Sequence, residues 1–535
     1  MAIRAFSHFL QYSTLSMNRV FHSSRYLTRT SAKLSIMTSN STLSGTSANY
    51  SIQSATIDRT AFTAKDTVEY IWKGLGLPEE TLRSLQIDGN ELGLPSSFKI
   101  ADLAQATISL SALLAAQIHA LRNSISPPII TVPRRHAVIE FKSERLYSFP
   151  GQSLPDTWGP LSGLHKSLDG YVRVHDTFTN HHNGATALVG CSPDVDRAEF
   201  ASKIASWRSV DLESAAFEAN VVISALRSYS EWDVLPQARA IADFPILLRK
   251  IGDAPVGLPQ EMRAANADKS LRGLRVLEFS RVIAAPLSGR TLAAHGADVL
   301  WVTSPNLPDI PVLDRDLGRG KRTVQLDLLT EEGREDLTRL LEDAHVVIQG
   351  YRPGSLASRG LSPEVLAQRF SHRGIICANL SAYGPCGPWS DKRGFDSLVQ
   401  TCSGMNVSEA EHYGAGEPAR PMPCQALDHA AGYFLASGVQ AALYKQATEG
   451  GSWEVDVSLA GVMKYLRSLG QFTGRDGFQS QDYTCTADVP PEYLETRPTG
   501  FGEMTAVRHS ASIQGVQVGW DIMPKPLGSD EKKWL

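Results

Sequence analysis

Between residues 274 and 457, short apolar strands alternate with helical segments, and this alternation limits the folds open to the chain. A strand predicted at residues 274–279 is followed by a helix at 286–294 and a second strand at 297–302. Further predicted strands follow at 323–328, 345–349, 374–380 and 453–457. Because neighbouring parallel strands need a helix-length crossover between them, we expect an α/β fold with a doubly wound, mainly parallel sheet.

The remaining chain divides by composition and pattern. Residues 58–157 contain a helical pattern at 101–121 and a β-branched stretch at 129–141 that predicts a strand. A smaller α+β domain is expected at 158–255, N-terminal to the Rossmann-like domain at 267–472; it includes a weak helical pattern at 239–250. Residues 473–535 are rich in Pro, Gly, Asp and Thr, which predicts an extended tail.

The first 57 residues differ from the rest because they contain no Asp or Glu. Their basic residues lie among many Ser and Thr, and are Arg4, Arg19, Arg25, Arg29 and Lys33. This composition is typical of a mitochondrial transit peptide, so we expect a mitochondrial protein, with a cytoplasmic location as the alternative. A disordered tail, or a start at Met37, is the other interpretation of this segment.

Composition excludes several classes of function. The net charge of −4 argues against nucleic acid as a partner, since phosphate binding needs a basic surface. Six cysteines without a C-x-x-C pair fit a reducing compartment. The most apolar stretch, residues 103–121, is interrupted by polar residues and predicts a buried helix, not a membrane span. No Walker A, G-x-G-x-x-G, H-E-x-x-H or G-x-S-x-G motif is present, which disfavours kinases, Rossmann dehydrogenases, zinc proteases and α/β-hydrolases.

Asp428 is the first candidate for chemistry, because it precedes a long run of good helix formers. A helix start favours an ionised carboxylate, and such a group can attack a thioester. The alternative is a plain helix N-cap.

Two further features are candidates for binding. The Gly- and Pro-rich loop at 382–388 follows a predicted strand, where α/β proteins bind ligands, although a surface turn is the alternative. Cations at 319–322 and 351–354 flank turns and suit a phosphate, unless they are ordinary surface charges.

Three histidines and an aspartate cluster within eight residues, at His175, Asp176, His181 and His182. The cluster lacks a familiar metal-ligand spacing, so we interpret it as a polar loop and expect no metal site.

Residues 274–286 and 292–300 resemble the opening of class III CoA-transferases, the CaiB/BaiF family. Six shorter pieces follow in the family's order, at 320–328, 351–354, 380–384, 387–388, 394–396 and 426–428. The resemblance implies an acyl-CoA:carboxylate CoA-transferase that takes a CoA thioester as substrate and has no tightly bound cofactor. It places the nucleophile at Asp428. The positions it implies for CoA contacts are Arg281, Val282, Lys321, Arg322, Arg352, Tyr383 and Gly384.

In such transferases the carboxylate attacks the acyl-CoA, and a mixed anhydride and then an aspartyl-CoA thioester follow. We expect backbone N–H groups of the loop at 383–387 to stabilise the oxyanions. The racemase branch has a histidine where this chain has Phe395, which argues against racemisation. His429 is adjacent to Asp428, but neighbouring residues of a helix point apart.

The layout departs from the family, because the part resembling the small domain precedes the nucleotide-binding part. A fused pair and a circular permutation both explain this order. The front half shows no convincing second nucleophile, so we expect one site per chain, lined by both halves. The stretch 302–305 lacks the family's cation. We expect an acyl-CoA and a small carboxylic acid as partners, no nucleic acid or membrane, and a homodimer or intramolecular pseudo-dimer. An acyl-CoA isomerase, racemase or dehydratase, or a silent CoA-binding protein, remain the alternatives.

Overall fold

The computed structural model describes residues 57–153 and 158–535. The predicted targeting segment therefore lies outside the described residues, except for Ile57. The α-helices are α1 Ala64–Gly74, α2 Ile100–Asn123, α3 Arg134–Glu140, α4 Thr179–Leu188, α5 Arg197–Ile204, α6 Ser209–Glu218, α7 Tyr229–Asp233, α8 Pro236–Ala240, α9 Ala284–Ala294, α10 Pro311–Leu317, α11 Glu331–Asp343, α12 Pro363–Arg369, α13 Asp396–Cys402, α14 Met405–Tyr413, α15 Ala426–Glu449 and α16 Leu459–Ser468. The strands are β1 Leu85–Gln86, β2 Ile130–Thr131, β3 Tyr147–Ser148, β4 Gly163–Lys166, β5 Tyr171–Val174, β6 Ile223–Ala225, β7 Leu247–Gly252, β8 Arg275–Phe279, β9 Asp298–Thr303, β10 Lys321–Gln325, β11 Val346–Gln349, β12 Ile376–Ser381, β13 Ser452–Ser458, β14 Leu494–Thr499, β15 Gly502–Val507 and β16 Ser512–Ile513.

A seven-stranded sheet with the order β10-β9-β8-β11-β12-β13-β7 forms the centre of the protein. All neighbours pair in parallel except β7, which runs antiparallel to β13 at the edge. The parallel strands β9 and β11 are mainly apolar and buried, as expected of a sheet covered on both faces. The prediction of an α/β fold with a mainly parallel sheet is confirmed.

Two local predictions were wrong. Residues 129–141 were expected to form a strand, but only β2 is extended and α3 follows it. Pro133 stands at the N-cap of α3 with φ −60°, which suits the entry to a helix better than a continued ladder. Residues 239–250 were expected to form a weak helix, but their last four residues belong to the half-exposed edge strand β7. An edge strand with two charged residues lacks the apolar run that marks a central strand.

The segment at 57–153 packs into the main core through α2, which lies against α15. Among the described residues, α2 is the helix that is long and apolar enough to cross a membrane, judged by length and composition alone. In the structure 94% of its most apolar window is buried inside the protein, as in a core helix of a globular domain.

The strands β4, β5 and β6 form a separate antiparallel sheet with α4, α5 and α6. This small unit has its own apolar core, which includes Leu161, Phe200 and Leu212. The C-terminal stretch contains the hairpin β14–β15, which pairs with β3, and β16, which pairs with β2. The part predicted as an extended tail is thus attached by strand pairing to the segment at 57–153.

Candidate active site

Asp428 is the third residue of α15 and is only 8% exposed. It does not cap its own helix: the N-cap is Gln425, which makes no side-chain capping bond. Instead the backbone N–H groups of Leu427 and Asp428 donate to one carboxylate oxygen of Asp396, at 2.8 and 3.0 Å. Since Asp396 satisfies these N–H groups, the Asp428 carboxyl is left for another role, and the N-cap interpretation of Asp428 is wrong.

The protonation of Asp428 differs from the expectation based on the helix dipole. Burial, and then the nearby carboxylates of Asp396 and Glu144, raise the pKa of Asp428 well above its ordinary value. Burial also raises the pKa of Asp396 to about 6. The dipole at the start of α15 therefore does not outweigh desolvation and like charge. Once ionised, a carboxylate in this setting is poorly solvated, which makes it a better nucleophile.

His429 lies beside Asp428 in the sequence but not in the site. Its ring is fully buried, forms a 2.8 Å hydrogen bond with Glu144 and stacks on Phe141 at 5.4 Å. The bond connects α15 to the segment at 57–153 and fixes the Glu144 carboxylate next to Asp428.

Asp428 lies where two cavities meet. On one side is a small pocket with a volume of about 50 Å³, and on the other a cleft of about 420 Å³. Val282, Ile283 and Phe395 also line both cavities. A ligand too large for either cavity alone would therefore pass directly beside the Asp428 carboxyl.

The cleft is basic. Its cationic residues come from three loops and are Arg281, Arg352, Arg359, Lys392 and Arg393. Arg281 lies over the Phe178 ring at 4.3 Å, and Arg352 donates to Asn220 at 2.8 Å. Burial and the neighbouring Arg352 charge lower the pKa of Arg393. Such a set of converging cations suits a polyanion.

Arg281, Val282 and Arg352 were predicted from sequence, and the structure places them at the cleft. Arg359, Lys392 and Arg393 were not predicted. Two of them form the adjacent pair Lys392-Arg393 immediately before the 394–396 piece, which marks this loop as basic in the sequence.

Val282 has φ +71°, a left-handed conformation that a β-branched residue rarely adopts. It stands just before α9, between the two cavities. Backbone strain of this kind persists only where the surrounding structure holds it, and it concentrates at functional sites.

The predicted contacts of Lys321 and Arg322 with CoA are contradicted by their burial in β10. Lys321 forms a 2.8 Å ion pair with Glu278 and donates to the Pro286 carbonyl at 2.6 Å. Arg322 forms a 2.8 Å ion pair with Asp298. Neither side chain lines a described cavity at Asp428, because both cations are used to neutralise buried carboxylates.

Tyr383 and Gly384 were also expected at the ligand, but they line neither cavity. Tyr383 is 1% exposed and packs edge-on against Trp389 at 5.2 Å. The Gly384 N–H donates to the Ser381 hydroxyl at 3.1 Å, and its φ of +98° makes the turn. The Gly384 N–H is therefore already bonded within the turn, and the oxyanion role expected of residues 383–387 stays a prediction.

The small unit contributes residues to the site that sequence reasoning assigned to a polar loop. His175 lines the small pocket and stacks on Phe395 at 4.1 Å, and burial lowers its pKa to about 4. His181 lines the cleft, and burial lowers its pKa to about 3. His182 points elsewhere and pairs with Asp176 at 2.9 Å. Both histidines at the cavities are thus neutral near pH 7.

Glu144 and Arg145 line the small pocket from the segment at 57–153, opposite the residues of the small unit. No local pattern marks them, because their place depends on contacts with α15. Both halves of the chain therefore meet at Asp428, as the expected single site requires.

Comparison with known proteins matches the region of the chain that contains Asp428. The sequence model of CoA-transferase family III matches residues 271–476. The acetyl-coenzyme A transferase nodX of Hypoxylon pulicicidum is 36% identical over 231 residues, which is 42% of this chain and 39% of that protein. A probable fatty acyl-CoA transferase of Mycobacterium tuberculosis is 34% identical over 39% of this chain and 55% of its own length. The succinate–glutarate CoA-transferase of Agrobacterium fabrum is 33% identical over 37% of this chain and 52% of its own.

The chain thus spans about half the length, or less, of these curated relatives. The matched region contains β8 to α16 and the catalytic candidate Asp428. It excludes Glu144 and His175, which complete the small pocket from outside it. Residues 271–476, whose motif order resembles that of class III CoA-transferases, are thus the part of the chain that is similar to CoA-transferase family III.

Proposed function

We propose that this protein transfers CoA from an acyl-CoA to a free carboxylic acid through covalent intermediates on Asp428. The observation that carries the proposal is the position of Asp428 at the junction of a large basic cleft and a small pocket. A CoA thioester has the matching form: a long polyanionic carrier, a thioester at its end, and an acyl group beyond.

The basic cleft suits the CoA portion of the thioester, which carries the phosphates. Arg281, Arg352 and Arg359 offer guanidinium groups to the phosphates of the nucleotide, and guanidinium binds phosphate in two-pronged geometry. Tyr351 and Leu307 add apolar surface in the same cleft. The names of the related proteins, all transferases of acyl-CoA or CoA, support the same ligand.

The reaction begins when the ionised Asp428 carboxylate attacks the thioester carbonyl. The carbon–sulfur bond breaks, CoA leaves as a thiolate, and a mixed anhydride joins Asp428 to the acyl group. The thiolate then attacks the aspartyl carbonyl, which releases the donor acid and leaves an aspartyl-CoA thioester. The acceptor carboxylate reverses these two steps, so that Asp428 is regenerated and a new acyl-CoA leaves.

Asp396 and Glu144 prepare Asp428 for this chemistry. Their charges, together with burial, disfavour the free anion, so that attack on an electrophile removes a charge from a crowded site. The cations of the cleft hold the CoA thiolate close while it is free, which keeps the second step effectively intramolecular.

The test is to mix the protein with an acyl-CoA and follow both protein and products by mass spectrometry. We expect a CoA adduct on the peptide that contains Asp428, and new acyl-CoA only when a free acid is added. Asp428→Asn is the matched control and should show neither. Product that forms without an acid would indicate an isomerase instead, and CoA binding without any adduct or product would indicate a silent binder.

A further inference from the structure

The small pocket beside Asp428 is lined by polar atoms that lack partners. The Thr177 hydroxyl, the Ser397 hydroxyl and Nδ1 of His175 are buried and have no hydrogen-bond partner among the described residues. Ser397 is 5% exposed and His175 is 7% exposed. These groups come from the small unit and from α13, so they converge on the pocket from two sides.

Buried polar groups in folded proteins almost always have a partner, because removal from water without one costs free energy. The pocket lining therefore matches a ligand that itself carries a hydrogen-bonding group. An unsubstituted hydrocarbon chain would leave all three groups unsatisfied and would add its own desolvated surface around them.

The volume of the pocket limits the size of that ligand. The pocket volume is about 50 Å³, against about 420 Å³ for the cleft that it joins at Asp428. Ile310 and Leu313 provide apolar wall next to the polar groups. A short chain with one polar substituent fits this volume and lining, and a fatty acyl chain does not.

The charges around the pocket distinguish between polar substituents. Asp428, Asp396 and Glu144 already place three carboxyl groups there. Arg145 contacts Glu144 at 3.3 Å, and Arg173 lies close enough to Asp396 and His175 for their charges to interact, so both cations act on groups already at the pocket. Burial, and then the charge of Arg173, lower the pKa of His175 to about 4 and keep its ring neutral. A second carboxylate on the acyl chain would meet this acidic surface, whereas a hydroxyl both donates and accepts without charge.

We propose that the small pocket binds the acyl group and selects short hydroxyacyl-CoA substrates, with Thr177 and Ser397 as hydrogen-bond partners of the substrate hydroxyl. The inference rests on the proposed CoA transfer and adds the substrate class to it. The name of one relative refers to fatty acyl groups, and the pocket points to a different class in this chain.

The test compares matched donor pairs that differ by one oxygen: butyryl-CoA with 3-hydroxybutyryl-CoA, and propionyl-CoA with lactoyl-CoA. We expect kcat/KM to favour the hydroxylated member of at least one pair by about 10-fold or more, as a site built to bind a hydroxyl discriminates against its absence. Palmitoyl-CoA and succinyl-CoA serve as the long and the acidic comparison, and both should be poorer donors.

Thr177→Val and Ser397→Ala each remove one hydroxyl with little change in shape. The ratio of kcat/KM for the hydroxylated donor to kcat/KM for the unsubstituted donor should therefore fall toward 1 in at least one of these variants. Thr186→Val is the control: Thr186 is buried in α4 of the same unit, bonds to the His182 carbonyl and lines neither cavity. Its ratio should equal that of the wild type. Circular dichroism and melting curves show that each variant is folded.

The outcomes separate the two proposals. If the wild type transfers CoA but prefers the unsubstituted, succinyl or palmitoyl donor, the substrate class is wrong and the transfer mechanism stands. If both variants keep the full preference, Thr177 and Ser397 are not the residues that read the hydroxyl. If no donor in the panel yields an adduct on Asp428, the proposed function fails and the inference fails with it.

Discussion

The carboxylate of Asp396 accepts the backbone N–H of Asp428 at 3.0 Å, so that one acidic residue holds the helix start on which the other stands. The same bond brings two carboxyl groups together in a buried place. Asp396 stabilises the position of Asp428 and at the same time raises its pKa. The hydrogen bond that Asp396 accepts stabilises the start of α15, whereas its charge disfavours ionisation of Asp428. Substitutions of Asp396 can remove the charge alone or the charge together with the hydrogen bond.

Replacement of Asp428 by Asn should abolish CoA transfer and stabilise the fold near neutral pH. A carboxyl whose pKa is raised on folding binds more protons in the native state, so stability falls as pH rises from its unfolded pKa toward its folded pKa. Asn carries no charge and avoids that loss. We expect a gain of about 1 kcal/mol, the usual size of a stabilising change at a functional site.

Chemical denaturation of both proteins at pH 5 and pH 8 checks this prediction. The difference in unfolding free energy should be larger at pH 8, where the wild-type carboxyl is ionised to the greater extent. An Asn variant that is equally stable at both pH values relative to the wild type would contradict the raised pKa of Asp428.

Replacement of Asp396 by Asn should shift the pH dependence of transfer. In the proposed mechanism activity requires ionised Asp428, so kcat/KM should rise with pH through the pKa of that group. Without the Asp396 charge the pKa of Asp428 falls, and the rise moves to lower pH. The amide oxygen of Asn still accepts the two N–H groups of α15, so the helix start is retained.

A series of kcat/KM values between pH 5 and 9 measures this shift. Asp396→Ala provides the contrast, because it removes the acceptor as well as the charge and should cost about 1 kcal/mol of stability as a lost cap. A rise that stays at the wild-type pH in the Asn variant would show that Asp396 does not influence Asp428.

Arg352→Ala should weaken binding of the CoA thioester without slowing chemistry at saturation. A hydrogen bond to a charged group contributes about 1.5–3 kcal/mol, so KM should rise at least about 10-fold. The effect should shrink at high salt, which screens exposed charges.

Arg208→Ala is the matched control for a surface guanidinium, since its side chain is 68% exposed and pairs with Asp169 away from the cleft. Initial rates against substrate concentration at low and high salt provide the measurement. Equal KM values for the Arg352 variant and the wild type would exclude this arginine from CoA binding.

Lys321→Met should destabilise the protein and leave KM unchanged, in contrast to the role first inferred from its sequence. Removal of one partner of a buried ion pair leaves the charge of Glu278 unpaired, which costs about 3–5 kcal/mol. The double variant Lys321→Met with Glu278→Leu should recover much of that loss. Denaturation midpoints and KM are the two readouts, and a stable Lys321→Met protein with a raised KM would restore Lys321 to the CoA site.

The sequence predicted the sheet well because an apolar strand and its following helix are encoded locally, as in β8 and α9. It placed Asp428 at a helix start, where the structure has the first turn of α15, because good helix formers follow it in the sequence. It assigned Lys321 to CoA because a position in β10 does not reveal that the buried carboxylate of Glu278, two strands away on β8, is its ion-pair partner.

Glu144 and His175 were not predicted as site residues for a related reason. Each becomes part of the pocket only through contacts with distant elements, Glu144 with His429 and His175 with Phe395. No periodicity or spacing within their own segments encodes those contacts.

The bond between Glu144 and His429 joins residues that are 285 positions apart. On a ribosome that adds roughly 5–20 residues per second, Glu144 emerges about 15–60 s before its partner is made. During that interval α2 also lacks α15, the helix against which it packs. We therefore expect the N-terminal helices to depend on nascent-chain chaperones, and the Asp428 carboxyl to acquire its surrounding pocket only near the end of synthesis.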